Sequence, residues 1–215
     1  MKQHKLNAAR IFMMFTGILL IGMCVASYRM SGFGTDAFTC MNLGISGFVN
    51  MSFGTWQLIM NTAILIIVFF TVRHLIGLGT IVNMVCVGYI ADFLCWLLEE
   101  QFMLSFTMPL RIFLLAIGTL FCSSGCALYM VADLGLAPYD SVAFIITKYT
   151  HEKISFRMAR VMSDVCVVII GVIFCLMAEN NLWEIIGIGT IVNAFCNGPL
   201  IQFFRGKIEA FITKK

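Results

Sequence analysis

Two aspartates stand where a membrane-buried carboxylate could carry charge: Asp92 in GYIADFLCW and Asp164 in VMSDVCVVII. Both fall inside long apolar runs, where an ionisable side chain is costly and usually faces a cavity or a partner. Partial desolvation pushes a carboxyl toward its protonated form, so each is a candidate proton carrier or solute-orienting group. For Asp164 the competing reading is a pairing with Arg160, one helical turn earlier on the same face. Asn61, Asn83 and Asn193 are polar residues in similar runs. Such amides either contact a solute or tie two helices together, and for Asn83 and Asn193 the tie is the simpler reading. Thr80 and Thr190, three residues before these two asparagines, are expected to cap helices. Asp36 and Asp140 open two short amphipathic segments and are assigned to opposing gates of one pathway.

An enzyme is hard to assemble from this inventory. His4, His74 and His151 lie outside the apolar runs, and no two have metal-ligand spacing. No nucleophile elbow, phosphate loop or dinucleotide fingerprint occurs. Eight of the nine cysteines lie within the runs, where Cys behaves as a small apolar residue. Cys122 and Cys126, one turn apart, are the nearest approach to a metal pair, and paired CxxC spacing is absent. The expectation is no catalytic residue, no metal and no cofactor. A net charge of +3, scattered along the chain, does not suit nucleic acid.

The elements that must position these residues follow from composition. Hydrophobic residues make up 60% of the chain and charged residues 12%, about half the charged share of a soluble domain. A water-soluble fold of this size cannot hide so much apolar surface. Six apolar blocks, at 11–28, 56–72, 81–98, 112–131, 161–178 and 185–204, each approach the roughly 20 residues that span a bilayer. The first follows Lys2, Lys5 and Arg10 as a signal peptide would, yet is too long for one and lacks a small-residue cleavage site before Arg29. It is expected to remain as a helix.

Basic residues set the orientation. With the N-terminus inside and six spans, the inner segments hold Lys2, Lys5, Arg10, Arg73, Lys148, Lys153, Arg157, Arg160, Arg205, Lys207, Lys214 and Lys215, and the outer ones only Arg29 and Arg111. Glu99, Glu100, Glu179 and Glu184 fall outside. Both termini are therefore expected in the cytoplasm.

The chain also repeats itself. GLGTIVN at 77–83 returns as GIGTIVN at 187–193, with Cys86 and Gly88 matched by Cys196 and Gly198. Gly17, Ala26, Tyr28 and Gly34 align with Gly118, Ala127, Tyr129 and Gly135, and Asn61 falls opposite Asp164. Two units, 1–106 and 107–215, form one membrane domain. Three spans per unit, an odd number, predict that the second enters the bilayer upside down, as in many secondary transporters. Between the first two spans of each unit lie 34–51 and 135–149, too short to cross comfortably. They read either as re-entrant half-helices, with Thr39 or Asp140 as caps, or as helices lying on the membrane surface. Gly17, Gly22, Gly118 and Gly125 suit close helix crossings.

The motifs FGTDAFTCMNLGIS, SFGTWQL, IGLGTIVNMVCVGYIADF, LGLAPYDS and IGIGTIVNAFCNGP resemble the YczE/YyaS/YitT group of bacterial integral membrane proteins. Ala37 stands where a Pro is common in that group. The resemblance implies a multi-span protein of the bacterial inner membrane and names no substrate. The sequence as a whole predicts an all-α, polytopic transmembrane helix bundle of about six spans in two inverted three-span repeats. Its partners are the lipid bilayer and a small solute, with no nucleic acid, as a monomer or homodimer. The expected function is a small-solute transporter or permease with its pathway between the repeats; the alternative is an accessory or scaffold protein that stabilises a membrane partner.

Overall fold

The structure, a computed structural model, describes residues 7–103 and 105–213. Lys2, His4, Lys5, Lys214 and Lys215, and the side chains of Arg157 and Glu184, lie outside the described residues. Every regular element among the described residues is helical.

Helix α1 (Ala8–Ser31) is followed by the short α2 (Ala37–Phe48) and then α3 (Phe53–Val72) with a 3-10 turn at Arg73–Leu75. Helix α4 (Leu78–Trp96) runs into a π-helical turn at Leu97–Gln101. The second unit repeats this order with α5 (Met108–Ala132), α6 (Pro138–Tyr149), α7 (Phe156–Met177), a single turn α8 (Leu182–Ile185) and α9 (Ile188–Thr213).

Five stretches are long and apolar enough to cross a membrane: Ala8–Ser31, Phe53–Leu75, Leu78–Gln101, Met108–Ala132 and Met158–Met177. They match the first five sequence blocks. The sixth block is divided, because Ile186 is extended and separates α8 from α9. Asn193, Asn197 and Gln202 then dilute the apolar character of α9, and Pro199 lies inside it. Outward faces are strongly apolar, with Phe12, Phe70 and Phe195 each more than 70% exposed. A face of this kind is matched to lipid rather than water.

Local signals explain where the helices begin and end. Gly32 (φ 65°) and Asp133 (φ 49°), at equivalent places in the two units, close α1 and α5 in the left-handed conformation. Asp36 caps α2 by accepting the Thr39 N–H at 3.1 Å. Ser52 and Ser155 cap α3 and α7 in the same way. The expected caps are thereby corrected. Thr39 is the donor and not the cap, and α6 starts at Ala137 with Pro138 in its first turn, where a missing N–H costs nothing. Thr80 and Thr190 also lie one turn inside their helices. Their Oγ1 atoms accept the N–H groups of Gly77 (3.1 Å) and Gly187 (3.3 Å), the reverse half of a capping box.

Packing brings α1 against α5 along their length. At the crossing, a Cβ on Gly17 would lie 2.8 Å from the Gly125 carbonyl oxygen, and one on Gly125 would lie 2.9 Å from that of Gly17. The backbones touch, as small residues allow in lipid. Helix α4 packs on α1, and α9 packs on α5. The short helices cross over: α2 lies on α7, and α6 on α3. Eight of the twelve residues of α2 are buried, so it sits within the bundle rather than on its surface.

Candidate functional site

The site begins with the linkers. After α1, the Phe33 carbonyl accepts the Gly189 N–H at 2.7 Å, and the Thr35 N–H donates to the Ile185 carbonyl at 3.2 Å. After α5, the Leu134 carbonyl accepts the Gly79 N–H at 2.8 Å, and the Leu136 N–H donates to the Leu75 carbonyl at 3.0 Å. Each unit's linker is thus clamped to the other unit's GxGT turn by the same pair of bonds. Gly34 (φ 93°) and Gly135 (φ 116°) make these close turns possible, because a side chain is strained in that region.

The clamps bring the first turns of α2 and α6 together. The rings of Phe38 and Tyr139 stack at 4.5 Å and 14°. The Tyr139 hydroxyl donates to Asp164 Oδ1 at 2.5 Å. Arg160, one turn before Asp164 on α7, donates from Nη1 to Asp140 Oδ1 at 2.6 Å. Its Nε lies 3.4 Å from Asp164 Oδ2 and its guanidinium carbon 4.7 Å from the Tyr139 ring centre. One guanidinium therefore bridges two carboxylates across the turn joining α6 to α7. All three charged side chains are about a third exposed.

Asp36 adds a third carboxylate on the α2 side, with no cationic partner among the described residues. Burial pushes its carboxyl up from the ordinary range; the bonds from Thr39 pull it part of the way back. Helix N-termini attract anions, yet here Asp36 and Asp140 already occupy both ends. Trp56 packs against the apolar cluster that holds both rings, and among the described residues its indole N–H is buried without a partner, as is Asn42 Oδ1. Such orphaned polar atoms are rare in interiors.

The structure joins some sequence candidates and separates others. Asp140 and Asp164 share Arg160. Asn61, 3% exposed on α3, and Asn83, 8% exposed on α4, make no side-chain hydrogen bond among the described residues. Asp92 belongs to a different cluster. Its Oδ1 accepts Arg29 Nη1 at 2.6 Å and its Oδ2 the Gly54 N–H at 2.6 Å, which staples α1, α3 and α4. Asn193 accepts a bond from Asn197, whose own oxygen takes the Ser123 hydroxyl at 3.2 Å, so this group ties α9 to α5. Thr80 and Thr190 are engaged in their helix starts.

Sequence reasoning missed Tyr139 as a site residue and counted Arg160 with the inner loops. Arg160 in fact stands inside a membrane-length helix. Its presence beside Asp164 in an apolar run was the available signal.

A family of unknown function, DUF6198, matches residues 8–206. The chain is 27% identical over 175 residues to an uncharacterized protein of Haemophilus influenzae, covering 81% of this chain and 73% of that one. It is 23% identical over 200 residues to the uncharacterized protein YyaS of Bacillus subtilis, covering 93% and 94% of the two chains. Similarity to the uncharacterized membrane protein YczE of Bacillus subtilis is 23% over 190 residues, covering 88% and 82%. No solved structure matches the chain. With five membrane-length helices and such relatives, this is a multi-pass membrane protein, and it belongs to the DUF6198 family.

Proposed function

We propose that the protein is a small-solute transporter or permease of the bacterial inner membrane, with its pathway between two inverted repeats. The observation that carries this reading is the meeting of two half-helix N-termini at the Phe38–Tyr139 stack, beside the Asp140–Arg160–Asp164 network. A helix of 12 residues spans about 18 Å, little more than half of a hydrocarbon core. Paired discontinuous helices of this kind build solute sites in secondary transporters. Asp140 and Asp164 share a single guanidinium there, and Asp36 has no cationic partner among the described residues, an excess of carboxylate that favours a positively charged solute or a coupled proton over an anion.

In this reading α9 is the sixth span. It packs on α5 as α4 packs on α1, and its polar residues are partly spent on that tie. Six spans return both termini to the cytoplasm, as the basic residues require. Cysteines introduced at Glu100 and Glu179 should react with an impermeant thiol reagent from outside, and one at His151 only from inside, above the background of the native thiols. Labelling of position 100 from the cytoplasm would remove the six-span arrangement.

Flux in proteoliposomes tests the function itself. Proton flux and uptake of small organic cations are expected in the wild type. Asp164→Asn should lower them about tenfold or more, the effect of losing one charge-assisted contact. Asp92→Asn should retain flux per folded molecule, because its carboxylate holds Arg29 and Gly54 and not the central cluster. A wild type that folds and moves nothing favours the accessory or scaffold alternative.

A further inference from the structure

The two basic residues that the sequence places on the outer side, Arg29 and Arg111, line the same cavity of about 360 Å³. Its walls come from the end of α1, the π-helical turn, the start of α5 and the α8 turn, with Phe106, Asn181 and Trp183 among them. Outer segments of membrane proteins are depleted in Lys and Arg, so this convergence calls for a physical cause. Arg29 is neutralised by Asp92 at 2.6 Å. Arg111 is not. Its Nε donates to the Phe106 carbonyl at 3.1 Å. Glu99 shares the cavity wall, yet among the described residues no carboxylate comes within ion-pair distance of Arg111. Gly32 leaves room for the guanidinium, since a Cβ there would stand 3.1 Å from Arg111 Nη1. Trp183, 74% exposed, forms an apolar wall beside it.

We infer that this cavity binds a phosphate oxyanion on Arg111, either the headgroup of an outer-leaflet phospholipid or free phosphate. A guanidinium whose Nη edge no carboxylate among the described residues claims presents a planar fork that fits two phosphate oxygens. An indole beside it suits the membrane interface, where Trp is enriched. The site is independent of the transport reading: the central cluster is rich in carboxylates, so an oxyanion held at the rim is not the solute that passes.

The test uses the full chain in neutral detergent, with Trp183 emission as the signal. The probes are inorganic phosphate and dihexanoyl phosphatidylglycerol. At least one should change the emission saturably, and Trp183→Phe should abolish the change. Arg111→Gln should weaken binding about tenfold or more, as expected for a lost charge-assisted pair. Arg111→Lys, which keeps the charge without the fork, should fall between and provides a second variant if Gln does not fold. Saturation by phosphate alone identifies a free ligand; saturation by the short-chain lipid alone identifies the headgroup. Either supports the site. No saturable change with either probe, or unchanged affinity in both folded Arg111 variants, overturns it.

Discussion

Arg160→Gln should cost the folded protein about 3 kcal/mol, the lower part of the range for removing one partner of a buried ion pair. The lower part is appropriate because the side chains involved are about a third exposed. The mechanism is specific. Without the guanidinium, Asp140 and Asp164 lose their shared cation, and the Tyr139 hydroxyl is left bonded to an uncompensated carboxylate. Adding Asp140→Asn to the Arg160→Gln protein should recover part of the loss. The coupling between the two positions should be about 1–3 kcal/mol, as for residues in one network. Unfolding of the purified protein in mixed detergent, followed by helical signal, measures all three. Additive effects would mean that the charges are screened and do not hold α6 to α7.

Gly44→Ala should be comparably damaging through sterics alone. A Cβ at Gly44 would run into the carbonyl oxygen of Gly171, and one at Gly171 would stand 2.8 Å from the carbonyl oxygen of Cys40. Both obstacles are backbone, which cannot step aside as a side-chain end can. Overpacking costs about 1–3 kcal/mol, and this contact is the seat of α2 on α7, so stability and flux should fall together. Gly206→Ala is the control. Nothing lies within 4 Å of a Cβ there, and exchanging Gly for Ala inside a helix gains up to about 1 kcal/mol. Thermal midpoints of the two variants should move in opposite directions. A Gly44→Ala protein as stable as the parent would show that α2 is held only loosely.

The parts of this molecule that were legible beforehand are those that depend on local pattern. Apolar runs gave the long helices, and Gly17 and Gly125 announced the crossing at which two backbones meet. The Arg160–Asp164 pairing is an i,i+4 relation and could be written down from spacing. The caps were misplaced by a turn because Thr80 and Thr190 are good capping residues wherever they fall. What decides the matter is which residue is extended, and that was Gly77. Contacts between distant segments were not legible. Asp92 meets Arg29 across 63 residues of sequence, and nothing in either neighbourhood encodes that choice. Tyr139 looked like an ordinary aromatic until the linker clamps set its ring on Phe38. A duplication reveals which segments are alike, but not which copy each will pack against.

Packing and chain order divide the molecule differently. Covalently, α2 belongs with α1 and α3; by packing, it belongs with α7, while α6 belongs with α3. The two units are interlocked like clasped hands, so the packing runs across the sequence repeat and not along it. In the transporter reading, a tilt of α7 would carry α2 with it and, through the Phe38–Tyr139 stack, load α6 as well. On that reading neither unit moves without the other.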